Sequence, residues 1–199
     1  MTLPPTLAID TAAPRLQLAL ALPDGRTDAL VEDIAKGHAE ILFYRMDSLL
    51  ARNGLTHADL ARIAVTTGPG SFTGLRIGLS AARGLGLARD LPVLGIPSLL
   101  AISLSATGPV SILIDARRGE AYFEAFSGPG ESLSGTRLLP IETAEAMLAP
   151  GAAVIREPFA DIALMARFAA NADPAAFPPH AAYIRDADAK PQDAARIPR

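Results

Sequence analysis

Residues Ile63 to Ala88, IAVTTGPGSFTGLRIGLSAARGLGLA, decide how this chain folds. The β-branched run Ile63, Val65, Thr66 and Thr67 predicts a short strand. Gly68-Pro69-Gly70-Ser71 is a sharp turn, and a helix rich in small residues is expected from Thr73 to Ala88. Two readings compete for this unit. It is either a phosphate loop or a smooth helix built to lie close against another surface.

The phosphate reading is the weaker. Glycines ahead of a helix do let backbone N–H groups face an anion. But no Gly-Lys-Ser/Thr follows, and Gly68, Gly70 and Gly74 miss the dinucleotide spacing. Asp90 lies where a ribose-binding acid would be wanted, but it stands before Leu91-Pro92 rather than at a strand end. The helix itself is unusual. Gly74, Gly78, Ala81 and Ala82 lie on neighbouring turns, with Gly84 and Gly86 beyond. Each interior glycine costs about 1 kcal/mol against alanine, so close approach of another backbone is expected there, from the home sheet or from another chain. Arg76 and Arg83 are seven residues apart and share a helix face.

Upstream, Leu7–Ile9 and Leu16–Leu22 read as a hairpin, and Thr27–Asp33 as a third strand. A helix from Ala39 to Arg52 stops at Asn53-Gly54, a strong C-terminal signal. Its apolar residues Ile41, Leu42, Phe43, Tyr44, Met46, Leu49 and Leu50 spread around most of its circumference. A helix buried on one face shows one stripe, so burial on two sides is expected, with the second side given to another domain or chain. Downstream, the charge-free run Leu91 to Ile114 is cut by Pro92, Gly95, Pro97, Gly108 and Pro109. It reads as strand, helix, strand rather than a membrane span, with Ser98 as the helix N-cap. A second hairpin joins Ser111–Asp115 to Ala121–Phe126 around Arg117-Arg118-Gly119-Glu120, and helices follow near Thr143–Leu148 and Ile162–Ala170. The tail from Asp186 is charged and expected to be poorly ordered.

Composition narrows the function classes. The chain has 199 residues, 50% of them hydrophobic, which is enough for one large or two small cores. A net charge of −3 argues against a large autonomous nucleic-acid surface. There is no cysteine, hence no disulfide or thiolate metal site. The start, MTLPPTLAIDT, lacks the pattern of a signal peptide. His38, His57 and His180 are isolated from one another in sequence, and no Gly-x-Ser-x-Gly nucleophile turn occurs. Asp10 and Asp115 each close an apolar strand, LAID and ILID. A pair of strand-end aspartates suits a metal–nucleotide, whereas a single one is more often a turn former.

Taken in order, TLAIDTAAPRLQLAL, GHAEIL, TTGPGSFTGLRIGLSAARGLG, IDARRGEAYFEAF and AAYIR resemble the TsaB family, formerly described as glycoprotease-like YeaZ, from Leu7 to Arg185. The resemblance implies an α/β fold of the actin-like, sugar-kinase and Hsp70 class in two small lobes. The first, residues 1–98, would carry the partner-binding helices, and the second, smaller lobe would be residues 99–199. It implies a cytoplasmic, non-catalytic partner subunit in tRNA threonylcarbamoyladenosine modification. That subunit binds the paralogous transferase TsaD as a heterodimer and works with the ATPase TsaE. A homodimer is expected in isolation, tRNA contact is expected to be indirect or weak, and no membrane is involved. The partner surface would use Ile41, Leu42, Arg45, Met46 and Leu49 on the first helix, and Ser71, Phe72, Thr73, Arg76, Ser80 and Arg83 on the second. Active superfamily members cradle phosphates in two Asp-plus-Gly turns. Here those turns keep Asp10, Thr11, Asp115 and Arg117 but lack the early glycines, and added side chains crowd a phosphate. TsaD-type enzymes carry His-x-x-x-His, where this chain has His38 and Leu42. No catalytic residue, metal ligand or cofactor of its own is therefore expected, with ATP or ADP held only at the junction of the complex. The competing class is a metal- or ATP-dependent enzyme of the glycoprotease and kinase superfamily.

Overall fold

The strand–turn–helix unit at Ile63–Ala88 sits inside a five-stranded sheet. A computed structural model describes residues 2–34 and 37–184; Arg185 and the charged tail from Asp186 lie outside the described residues. Strands β1 (Thr6–Asp10), β2 (Leu16–Ala21) and β3 (Thr27–Glu32) form an antiparallel meander. After helix α1 (His38–Arg52), strand β4 (Arg62–Thr66) joins β1 in parallel. Helix α2 (Phe72–Arg89) then crosses to β5 (Val93–Ile96), also parallel, and the sheet order is β3-β2-β1-β4-β5.

Side-chain alternation along these strands sorts the two faces. Leu7, Ile9, Leu16, Leu18, Leu20, Ile63 and Val65 pack with α1 and α2. Ala8, Ala19, Ala21 and Ala64 face the other way, where small side chains leave room for a close-lying layer. That layer is α3 (Ser98–Ser103) and α5 (Ile162–Asn171), whose Leu99, Ile102, Ile162, Met165, Ala166 and Ala169 are buried there.

Beyond it lies a second sheet. Strands β6 (Val110–Arg117) and β7 (Glu120–Gly128) form its hairpin, with short β8 (Glu131–Ser132), β9 (Arg137–Pro140) and β10 (Ala153–Ile155) around them. Val110, Ile112 and Phe126 join the shared inner core, while Leu113, Ala121 and Phe123 pack on the far side with Ala144 of α4 (Ile141–Ala146). Five layers result: α1 and α2, the first sheet, α3 and α5, the second sheet, α4.

The residue 98/99 division cuts the start of α3, and the chain does not stay divided there. Helix α5 belongs to the second half of the sequence and packs on β1 and β2. The stretch after it runs along β5, with Gly95 N–H donating to the Phe177 carbonyl and Ala182 N–H to the Thr67 carbonyl, each at 2.8 Å. Helix α3 corrects a cap: its N-cap is Pro97, and Ser98 Oγ makes no hydrogen bond.

Candidate functional site

The two aspartate turns converge. Asp10 ends β1 and Asp115 lies near the end of β6, and both line a cleft of about 560 Å³ between the sheets, together with Arg117. Asp10 is 3% exposed. Its carboxylate accepts hydrogen bonds from Ala12 N–H at 2.8 Å, the Thr66 hydroxyl at 2.8 Å and the Gln17 amide at 3.1 Å. Burial pushes its pKa up, and these bonds only partly oppose the shift. Its acceptor capacity is largely taken by the protein itself.

The start of α2 is equally occupied. The Ala12 carbonyl accepts Ser71 N–H at 2.7 Å, and Ser71 Oγ caps Gly74 N–H. Two of the N–H groups at this helix end are thus committed within the chain. Thr11 does not line the cleft; it is 1% exposed and its hydroxyl donates to the Gly74 carbonyl at 2.7 Å.

This turn also explains the glycines. A Cβ on Gly70 would lie 2.7 Å from the Ala12 carbonyl oxygen, one on Gly74 would run into the Thr11 carbonyl, and one on Gly78 would lie 2.6 Å from Thr11 Oγ1. The close approach that these glycines serve is inside the chain. Only open space faces Gly84.

The second turn is looser. Asp115 is exposed and accepts Arg117 N–H at 2.7 Å. Arg117, Arg118 and Gly119 follow at φ 68°, 59° and 76°, a left-handed run that costs each arginine about 1 kcal/mol. His38 is the first residue of α1. It is 8% exposed, lines the cleft, and its Nε2 has no hydrogen-bond partner. Among the described residues, no three His, Asp or Glu side chains are grouped to hold a metal ion.

The partner-surface residues divide sharply. Ser71, Phe72, Thr73, Arg76, Ser80 and Arg83 are all exposed on α2. On α1, however, Leu42, Met46 and Leu49 are at most 1% exposed, inside the first sheet's core. This corrects their expected place on a partner surface: with Leu50 they form the i, i+4, i+7, i+8 stripe that faces home. Ile41 and Arg45 are half-buried, and Arg45 pairs with Glu32 at 2.8 Å. The open side of α1 shows Phe43, 53% exposed, and Tyr44, 66% exposed. Neither was among the expected surface residues, although their offset from that stripe was the available signal.

A groove of about 570 Å³ runs between the two helices. Phe43 and Ala39 form one wall, Phe72, Thr73, Arg76, Ile77 and Ser80 the other, and Leu42 and Ala81 also line it. The Phe72 ring lies 5.4 Å from Tyr183, and the Arg76 guanidinium stacks on Phe72 at 3.8 Å.

A family model described as TsaD: tRNA N6-adenosine threonylcarbamoyltransferase matches residues 32–175. The chain is 36% identical over 125 residues to the Escherichia coli tRNA threonylcarbamoyladenosine biosynthesis protein TsaB, covering 60% of this chain and 54% of that one. It is 34% identical over 119 residues to the Bacillus subtilis TsaB, covering 58% and 52%. The chain belongs to the TsaB family. A Pseudomonas aeruginosa structure described as YeaZ superposes with a TM-score of 0.70 at 27% identity, covering 82% of this chain and 90% of that one. The fold, α/β with two mixed sheets, is shared with that structure. The chain spans about half the length of the curated TsaB relatives it matches. No helix among the described residues is long and apolar enough to cross a membrane.

Proposed function

We propose that this chain is a non-catalytic partner subunit in tRNA threonylcarbamoyladenosine modification. It binds the paralogous transferase TsaD through the α1–α2 groove and supports it together with the ATPase TsaE. It takes no cofactor of its own, ATP or ADP belongs to the junction of the complex, and contact with tRNA is indirect. The observation that carries this reading is the groove. Phe43 and Phe72 line it, large, apolar and at least half exposed, and an exposed apolar patch marks a binding surface. The committed hydrogen bonds of Asp10, and of the Ser71 and Gly74 N–H groups at the start of α2, support a chain that does not transfer phosphate.

Sedimentation velocity of the chain alone, and mixed with TsaD from the same source, tests this. A heterodimer boundary is expected, drawn from any homodimer the chain forms in isolation. Failure to form it, with or without TsaE and ATP, overturns the partner reading. ATP or peptide hydrolysis by the purified chain, lost on Asp10→Ala in a variant that still folds, would favour an enzyme instead.

A further inference from the structure

The segment between β10 and α5 forms part of the wall of the inter-sheet cleft. Arg156, Pro158 and Ala160 line it, as do Ala12, Ala13 and Pro14 of the β1–β2 turn. Phe159 does not line it; the Arg15 guanidinium lies over its ring, 3.7 Å from the centroid. Arg15 follows Pro14 in the β1–β2 turn and is bonded to Asp33 at 2.5 Å. The first sheet thus grips the segment through one stacked pair. The ends of the segment are fixed separately. Arg156 makes a two-pronged ion pair with Glu145 of α4 at 2.7 and 2.9 Å, and Asp161 caps α5. Among the described residues, no backbone hydrogen bond ties residues 157–160 to another element. A stretch held by side chains alone opens more readily than one held in a ladder.

The two sheets cannot part so easily. Helix α5 packs on β1 and β2, and Ala8, Ala19 and Ala64 of the first sheet share one buried core with Ile112 and Phe126 of the second. Separation would expose that core to water.

We infer that residues 156–160 are a strap on the cleft, held shut by the Arg15–Phe159 stack, and that the cleft opens by lifting this strap rather than by parting the sheets. An arginine suits the task. Its planar guanidinium stacks on a ring while its edge still pairs with a carboxylate, here Asp33. With the strap down, Ala160 is 7% exposed. The strap sets access to that side of the cleft.

The chain has no cysteine, so one introduced thiol reports on one place. Ala160→Cys puts the thiol on the strap, at the cleft wall. Ala166→Cys puts it on α5 in the shared core, where Ala166 is 0% exposed. Labelling of each by an aromatic disulfide reagent is compared with the stack intact, in Phe159→Leu and in Arg15→Gln. Loss of the stack is expected to speed labelling at position 160 about tenfold and to leave position 166 within about twofold. Arg15→Lys, which keeps the charge without the planar stack, is expected to fall between. Circular dichroism checks the fold of each variant. If cysteine is not tolerated at position 160, Ala116→Cys on β6, 7% exposed and on the cleft wall, takes its place. Unchanged labelling at the cleft position overturns the role of the stack. An equal rise at the cleft position and at 166 overturns the strap, because the sheets then part together.

Discussion

The cleft between the sheets and the groove between α1 and α2 have nearly equal volumes, about 560 and 570 Å³, but their side chains are in opposite states. In the cleft, Asp10 accepts three internal hydrogen bonds, and the Ala12 carbonyl accepts Ser71 N–H at the start of α2. In the groove, Phe43 and Phe72 are half exposed and Arg76 stacks on Phe72 with no carboxylate partner among the described residues. A turn that resembles an enzyme's by position can have its carboxylate used up by the fold, as at Asp10, while binding capacity remains on a helix pair that has no reactive group. Unsatisfied surface is the better guide to where a chain of this kind works.

Adjacent residues on α1 break the comparison most strongly. Leu42→Asp places a carboxylate in the core and is expected to cost more than about 4 kcal/mol, unfolding the chain. Phe43→Asp, one residue on, is expected to change stability by less than about 1 kcal/mol yet abolish pairing with the paralogue. Thermal melts and sedimentation of both variants read the two effects separately. Equal destabilisation would remove the distinction between the inner and outer faces of α1.

Two glycines of α2 sharpen it next. Gly74→Ala drives a methyl into the Thr11 carbonyl and is expected to cost about 3 kcal/mol. Gly84 meets nothing within 4 Å, so Gly84→Ala is expected to stabilise by about 0.8 kcal/mol. Urea denaturation should give opposite signs; a loss at both positions would mean that Gly84 has a packing role of its own.

The smallest effect is in pH. The folded Asp10 carboxyl titrates above its unfolded value near 3.8 because it is buried, so the proton favours the folded state. Its contribution is full below the unfolded value and is lost as pH rises through the folded one. Wild-type stability at stepped pH should show that decline, and Asp10→Asn, with the Gln17 amide turned to accept, should not. An identical profile for both would show that Asp10 is not protonated preferentially in the fold.

Much of this was legible in sequence because the signals were local. The strand, glycine turn and helix at Ile63–Ala88 follow from β-branching and turn chemistry, and Asn53-Gly54 ends α1 as its type requires, with Gly54 at φ 68°. The return of α5 to the first sheet was not legible, since nothing in Ile162–Asn171 names the sheet it packs on. The inward turn of Leu42, Met46 and Leu49 was hidden by the neighbouring Phe43 and Tyr44, which widen the stripe until its direction is lost. Gly74 and Gly78 pointed correctly to a close approach, but sequence could not say that Thr11 rather than a second chain makes it, and Gly84 makes none.

Amide hydrogen exchange on this chain, free and bound to the transferase paralogue, tests most directly whether the groove rather than the cleft is the working surface. New protection is expected across the α1–α2 helix pair, with the β6–β7 turn around Arg117 and Arg118 unchanged. Protection confined to that turn and the cleft-lining strand ends, with α1 and α2 exchanging as in the free chain, would contradict it.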